Sequence, residues 1–239
     1  MEGTGDPVSN TLPRPLTSFV GRERETAAVI DRLWRQDVRL LTLTGPGGVG
    51  KTRLAIHVAE RLRQAFPGGV WFVPLAAVQT ADLVPDTFAA ALGVPRAGKL
   101  SLLDRVAGFL ASPRTLLVVD NFEHLREAGP FLTDLLTACP DLAILVTSRA
   151  ALRISGEHLL AVPPLPATLV ETPAPAGTLG PPAPRLPDAV RLFTARAEAA
   201  DASFTLSPVV TREVADLCSC LDGLPLAIEL AAARVAAFP

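Results

Sequence analysis

The stretch Gly45-Pro46-Gly47-Gly48-Val49-Gly50-Lys51-Thr52 follows an apolar run over 38–44. It precedes a segment in which Leu54, Val58, Leu62 and Phe66 recur every four residues. The run is short and rich in β-formers, which predicts a buried strand. The recurrence is one stripe of a helix. Strand, glycine-rich turn and helix in this order fit G-x-x-x-x-G-K-[ST]. Backbone N–H groups of such a turn wrap a phosphate, and glycines permit both the turn and the close approach. The helix beginning near Lys51 turns its positive end toward the phosphates. Lys51 is then placed to neutralise the β- and γ-phosphates, and the Thr52 hydroxyl to bind Mg²⁺. The expected cofactors are ATP or ADP with Mg²⁺. The expected contacts are Gly45, Gly47, Gly48, Val49, Gly50, Lys51 and Thr52.

A site of this kind needs a second oxygen ligand near the metal. Leu116-Leu117-Val118-Val119 is fully apolar, as a central parallel strand should be, and it ends in Asp120. Open α/β sheets bind ligands at that end of their strands, so Asp120 joins Thr52 as a metal candidate. The next residue is Asn121, where many P-loop ATPases carry a catalytic carboxylate. Glu123 lies close by, either in catalysis or as a carboxylate at a helix start. A further apolar run over 142–147 ends in Thr147-Ser148-Arg149. If that strand neighbours the Asp120 strand, Arg149 can reach a γ-phosphate. The catalytic candidates are thus Asp120, Asn121, Glu123 and Arg149.

Outward from these motifs, strands are also expected at 70–75 and 158–162. Helices are expected from within 19–22 to about 34, with Ser18 as cap, and over 80–92, 101–111 and 124–138. His57 falls on a solvated helix face. Alternating strands and helices indicate α/β architecture, a parallel sheet covered by helices. From Pro163 to Pro187 the chain holds nine prolines in 25 residues. Few amide donors and little helical freedom make this an extended tether. Three helical segments follow, over 187–201, 207–221 and 224–238. The last is apolar nearly all round and should be packed. The expected layout is a flexible lead-in over 1–17, a P-loop nucleotide-binding domain over 18–162, a proline-rich linker over 163–186, and a small all-α domain over 187–239.

Composition narrows the function. The chain has 239 residues, 49% of them hydrophobic, and a net charge of −2. That apolar fraction fills a core and excludes a disordered chain. No general field draws the chain to DNA or to an anionic membrane. Aromatics are 5% and Tyr is absent, which disfavours a stacking platform for single strands. Cys139, Cys218 and Cys220 form no disulfide framework or zinc pattern and read as small residues in a reducing cytosol. No secretory signal or membrane-spanning stretch is found.

Five separated segments together resemble one family. Phe19-Val20-Gly21-Arg22-Glu23-Arg24-Glu25 is similar to the hhGRExE motif of NB-ARC proteins of the STAND class. The glycine-rich stretch resembles their Walker A, Leu116 to Asp120 their Walker B, and Thr147-Ser148-Arg149 their sensor 1. Gly223-Leu224-Pro225-Leu226-Ala227 looks like their GLPLA motif. The resemblance covers about residues 16–239 and points to the ATPase core of bacterial signal-transduction regulators, many of them transcriptional activators. It implies a P-loop domain followed by a small helical domain, then a winged helix and sensor repeats. It implies that ADP holds a closed state and that ATP promotes opening and oligomers. It places Val20 and Arg22 on the adenine side, Arg53 after the phosphate loop, Pro225 on the base, and Arg149 at the γ-phosphate. The nucleotide is expected between the two domains. Asn121 departs from the family's second acid, which implies slow hydrolysis. The chain stops at Pro239, before any winged helix, and so reads as part of a longer protein.

The function expected is an ATP/ADP switch of a cytoplasmic regulator. The alternative is a P-loop enzyme, a kinase or metabolic ATPase, but no acceptor pocket with a dedicated base is evident. A helix-turn-helix in the last helices is disfavoured. Residues 223–239 carry only Glu229 and Arg234 as charges, too few for phosphates and base edges. No direct nucleic-acid contact is expected.

Overall fold

The computed structural model describes residues 12–111, 113–169 and 186–237. The lead-in over 1–11, most of the expected linker (170–185) and residues 238–239 lie outside the described residues. The chain divides into two units. The first comprises Met1–Ser18, Arg24–Pro46 and Lys51–Val162. The second comprises Phe19–Glu23, Gly47–Gly50 and Pro163–Pro239.

The first unit is built on a parallel five-stranded sheet. Its strands are β1 (Leu40–Thr44), β2 (Val70–Pro74), β3 (Thr115–Asp120), β4 (Leu142–Ser148) and β5 (Glu157–Ala161). Their order is β2-β3-β4-β1-β5. Helices α1 (Glu23–Trp34), α2 (Lys51–Leu62), α3 (Val84–Leu92), α4 (Leu102–Leu110) and α5 (Gly129–Ala138) cover it. Leu116, Leu117, Val118 and Val119 of β3 are all fully buried. Successive strand residues point to opposite faces, so both faces of the sheet are covered. The edge strands β2 and β5 are only partly buried, whereas all seven residues of β4 are buried. This is the expected P-loop NTPase architecture, and its helical continuation is present as well.

The boundaries differ from the sequence reading in instructive places. Helix α1 starts at Glu23 rather than within 19–22. Gly21 and Arg22 both have left-handed backbone, at φ 69° and 67°, which no helix accommodates. The helix expected from 124 begins at Gly129. Before it the chain makes two 3₁₀ turns, Phe122–His124 and Arg126–Ala128, entered through Asn121 at φ 69°. Asn is among the few residues that take this conformation readily. His57 is half-buried rather than solvated, and burial lowers its pKa, with help from Arg61. Leu12, within the expected lead-in, is buried.

In the second unit, α6 (Asp188–Ala200), α7 (Pro208–Cys220) and α8 (Pro225–Ala232) enclose a small core. It includes Leu165, Val190, Phe193, Val214, Cys218 and Ile228. At the start of the expected linker, Leu165 is buried in this core, and the partly buried Ala167 and Leu169 pack against it. Leu165 N–H donates to Gly223 O at 2.8 Å, and Ala189 N–H donates to Pro166 O at 3.1 Å. Gly223, at φ 63°, admits this approach because a Cβ there would overlap the Leu165 carbonyl. The last helix is shorter than expected and packs on one face only. Ile228 and Ala232 are buried, whereas Leu226 and Leu230 are 53% and 62% exposed. Among the described residues no helix is long and apolar enough to cross a membrane.

Candidate functional site

The strand order decides which motifs meet. Strand β4 lies between β1, which feeds the glycine-rich loop, and β3, which ends in Asp120. Leu43 pairs with Thr147, and Val119 pairs with Val146. Three strand ends therefore place Thr52, Asp120 and Thr147 together. Thr52 Oγ1 donates to Asp120 Oδ1 at 2.6 Å. Thr147 Oγ1 donates to the same oxygen, also at 2.6 Å. Thr147 in turn accepts from Asn121 N–H at 3.0 Å. The buried Thr147 thus orients Asp120 and pins the left-handed turn after it.

Lys51 Nζ donates to Gly45 O at 2.8 Å and to Pro46 O at 2.9 Å. Its pKa is lowered, chiefly by burial and also by Arg149, while Glu123 and Asp120 favour the charged form. Arg149 Nε donates to Glu123 Oε1 at 2.9 Å. The other Glu123 oxygen, Oε2, is buried without a hydrogen-bond partner among the described residues.

The loop itself fits a phosphate. Gly48 and Gly50 stand at φ 77° and 93°, so the turn depends on glycine. The oxygen donors fit Mg²⁺, a hard cation. Among the described residues no three His, Cys, Asp or Glu side chains cluster. A metal here would therefore rest on the Asp120 carboxylate, the Thr52 hydroxyl and oxygens of the nucleotide.

Residues 18–148 match the AAA ATPase domain family. The chain belongs to that family. This AAA ATPase domain chain is 40% identical over 228 residues to the uncharacterised protein Rv0894 of Mycobacterium tuberculosis H37Rv, across 95% of this chain and 53% of Rv0894. It is 31% identical over 241 residues to the regulatory protein AfsR of Streptomyces griseus, across 95% of this chain and 22% of AfsR. The chain thus spans about half the length of the first relative and about a fifth of the second. Among solved structures it is similar to Cdc6p from Pyrobaculum aerophilum, at a TM-score of 0.56 and 15% identity, across 95% of this chain and 63% of that one. At that identity the likeness is one of fold.

The AAA ATPase domain brings Lys51, Thr52, Asp120, Asn121, Glu123 and Arg149 to neighbouring loop and strand ends. Arg53 instead donates to Thr17 O at 2.8 Å and Ser18 O at 2.9 Å, tying down the segment before the hhGRExE-like stretch. In the second unit, the Arg22 guanidinium donates to Val49 O at 2.9 Å and to Pro163 O. Its backbone N–H donates to Asp188 Oδ2 at 3.3 Å. Val20 packs against the second unit's core. Leu226 N–H donates to Gly48 O at 3.2 Å, and Pro225 lies beside Gly50. Sequence reasoning missed Thr147 as the partner of Asp120. The available signal was a hydroxyl closing an otherwise apolar strand.

Proposed function

We propose that this chain is the ATP/ADP-binding switch of a STAND-type, NB-ARC-like signalling or transcriptional regulator that works in the cytoplasm. The observation that carries the reading is the bond from Leu226 N–H to Gly48 O. The GLPLA-like segment is hydrogen-bonded to the backbone of the phosphate loop, so an anion gripped by that loop acts directly on the start of α8. The regulatory name of AfsR and the nucleotide chemistry of the family support the reading.

In this reading Lys51 exchanges its two carbonyl partners for the β- and γ-phosphates. Thr52 and Asp120 hold Mg²⁺, which screens phosphate charge when bound. Arg149 reads the γ-phosphate, which ADP lacks. Gly45, Gly47, Gly48, Val49 and Gly50 supply backbone donors, and Pro225 and Val20 lie toward the base. Arg22 and Arg53 serve by holding the loop and the segment before it. The Asn121 amide orients water but does not accept its proton at neutral pH, so hydrolysis is slow. Glu123 is the carboxylate left to take that proton. Winged-helix and sensor domains of a longer chain, and further copies in the ATP state, are the proposed partners.

The test is to denature the purified protein and identify the nucleotide it releases by chromatography. Release of ADP supports the switch, and steady-state turnover should fall well below the roughly 10 s⁻¹ median of enzymes. Rapid turnover, or a chain that binds neither ADP nor ATP, overturns the reading.

A further inference from the structure

Arg149 leaves the end of β4 with its side chain 70% exposed. An exposed arginine samples many rotamers, and a phosphate contact gains when the guanidinium is held beforehand. Glu123, whose side chain is only 16% exposed, provides that hold. Its own position is well determined. The left-handed Asn121 is pinned through Thr147, Phe122 is fully buried, and the ring of His124 bonds Val78 O at 2.7 Å. A short, rigid turn therefore carries the carboxylate.

The manner of the hold matters. Glu123 takes the inner donor, Nε, of the guanidinium. Nη1 and Nη2 have no acceptor among the described residues. Those terminal nitrogens are what pair with a phosphate in a forked geometry. The same pair also acts on Lys51. Glu123 is the carboxylate that most favours the lysine's charged form, ahead of Asp120, and Arg149 opposes it. Glu123 and Arg149 therefore sit within the electrostatic field of the phosphate-loop lysine.

We propose that Glu123 is a positioning residue for Arg149, holding the guanidinium by Nε so that its terminal nitrogens remain for the γ-phosphate, and that it thereby sets the preference for ATP over ADP. This rests on the reading of Arg149 as the γ-phosphate contact. It runs against the simplest electrostatic expectation. A carboxylate with one buried, unpartnered oxygen repels phosphate, so a mere field effect makes its removal favour ATP. Positioning makes its removal disfavour ATP, and the sign separates the two.

The experiment measures the affinity of Mg²⁺-ATP and Mg²⁺-ADP by calorimetry in the wild-type chain and in E123A, E123D, E123Q, R149A and the E123A/R149A double variant. The ATP-to-ADP preference should fall about three- to tenfold in E123A, the scale of immobilising one rotamer-rich side chain on binding. E123D, one methylene short of Nε, should fall with it, and serves where E123A does not fold. E123Q keeps an acceptor for Nε and should retain most of the preference. In the double variant the loss should match that of R149A alone. A preference that rises or stays level in E123A and E123D overturns the proposal, as does an equal loss from E123A when Arg149 is already absent. If R149A keeps the full ATP preference, Arg149 does not read the γ-phosphate, and both this proposal and that part of the switch reading fall. Nucleotide binding through Lys51 stands or falls separately.

Discussion

Two polar clusters in this chain are built from similar residues to different ends. At the strand ends of the first unit, Lys51 rests on two backbone carbonyls, Glu123 keeps a buried oxygen without a partner, and Arg149 uses only Nε. In the second unit, the buried Arg22 guanidinium spans Val49 O and Pro163 O, while Asp188 accepts from Arg22 N–H and from Arg191 Nη1. The first cluster keeps donors and charge in reserve. The second spends its guanidinium on two backbone carbonyls. A charged motif residue is therefore a ligand group or a scaffold according to what its terminal atoms meet, and its sequence motif alone does not say which.

The largest expected effect sharpens this contrast at Lys51. Lys51→Ala should weaken both ATP and ADP by roughly 30-fold or more, corresponding to about 2 kcal/mol or above for losing one partner of a buried charge pair. The fold should not suffer. Burial lowers the Lys51 pKa in the folded chain, so the charged lysine opposes folding at neutral pH. That penalty fades as pH rises through the lowered folded pKa toward the ordinary lysine value of 10.5. Thermal unfolding should show the variant no less stable than wild type near neutrality. A large loss of stability with intact binding would break the comparison.

Arg22→Ala should act in the opposite sense. It strands two backbone carbonyls, at a cost to stability of about 1–3 kcal/mol each where they stay dry. Chemical denaturation should move to lower midpoint, with nucleotide affinity falling only as far as the loop loosens. A variant that loses nucleotide and keeps its midpoint would make Arg22 a ligand group after all.

Thr147→Val tests whether the first cluster also contains scaffold. Asn121 N–H loses its acceptor and Asp120 loses a donor, for a stability cost of about 1–2 kcal/mol. Mg²⁺-dependent binding should weaken because Asp120 is freer to turn, while binding without metal should hardly change. Equal losses with and without Mg²⁺ would reassign Thr147 to packing.

The smallest effect concerns the second unit's interior. Burial pushes the Cys218 thiol up to about 11, so at pH 8 it is protonated as well as enclosed. Iodoacetamide should label the exposed Cys220 and leave Cys218 unmodified until denaturant is added. Labelling of Cys218 in native buffer would show that this unit opens readily.

Much of this was legible locally. The glycine-rich loop, the strand before it and the amphipathic helix after it are consecutive, and their patterns are set by backbone freedom and by burial of one face. Asp120 at the end of an apolar strand was equally plain, because a parallel strand buried on both faces must be apolar until it reaches the ligand-binding edge. Strand order was not legible. No periodicity says that β4 enters between β1 and β3, yet that insertion brings Thr147 to Asp120 across 27 residues and Arg149 to Glu123 across 26. Nor did composition show that Arg22 reaches Pro163, 141 residues away, or that Leu226 and Leu230 face outward on α8. Local sequence determined the elements and the chemistry at their ends. Which ends meet depends on long-range packing, where each side chain's partner is chosen by the surrounding core rather than by its neighbours in the chain.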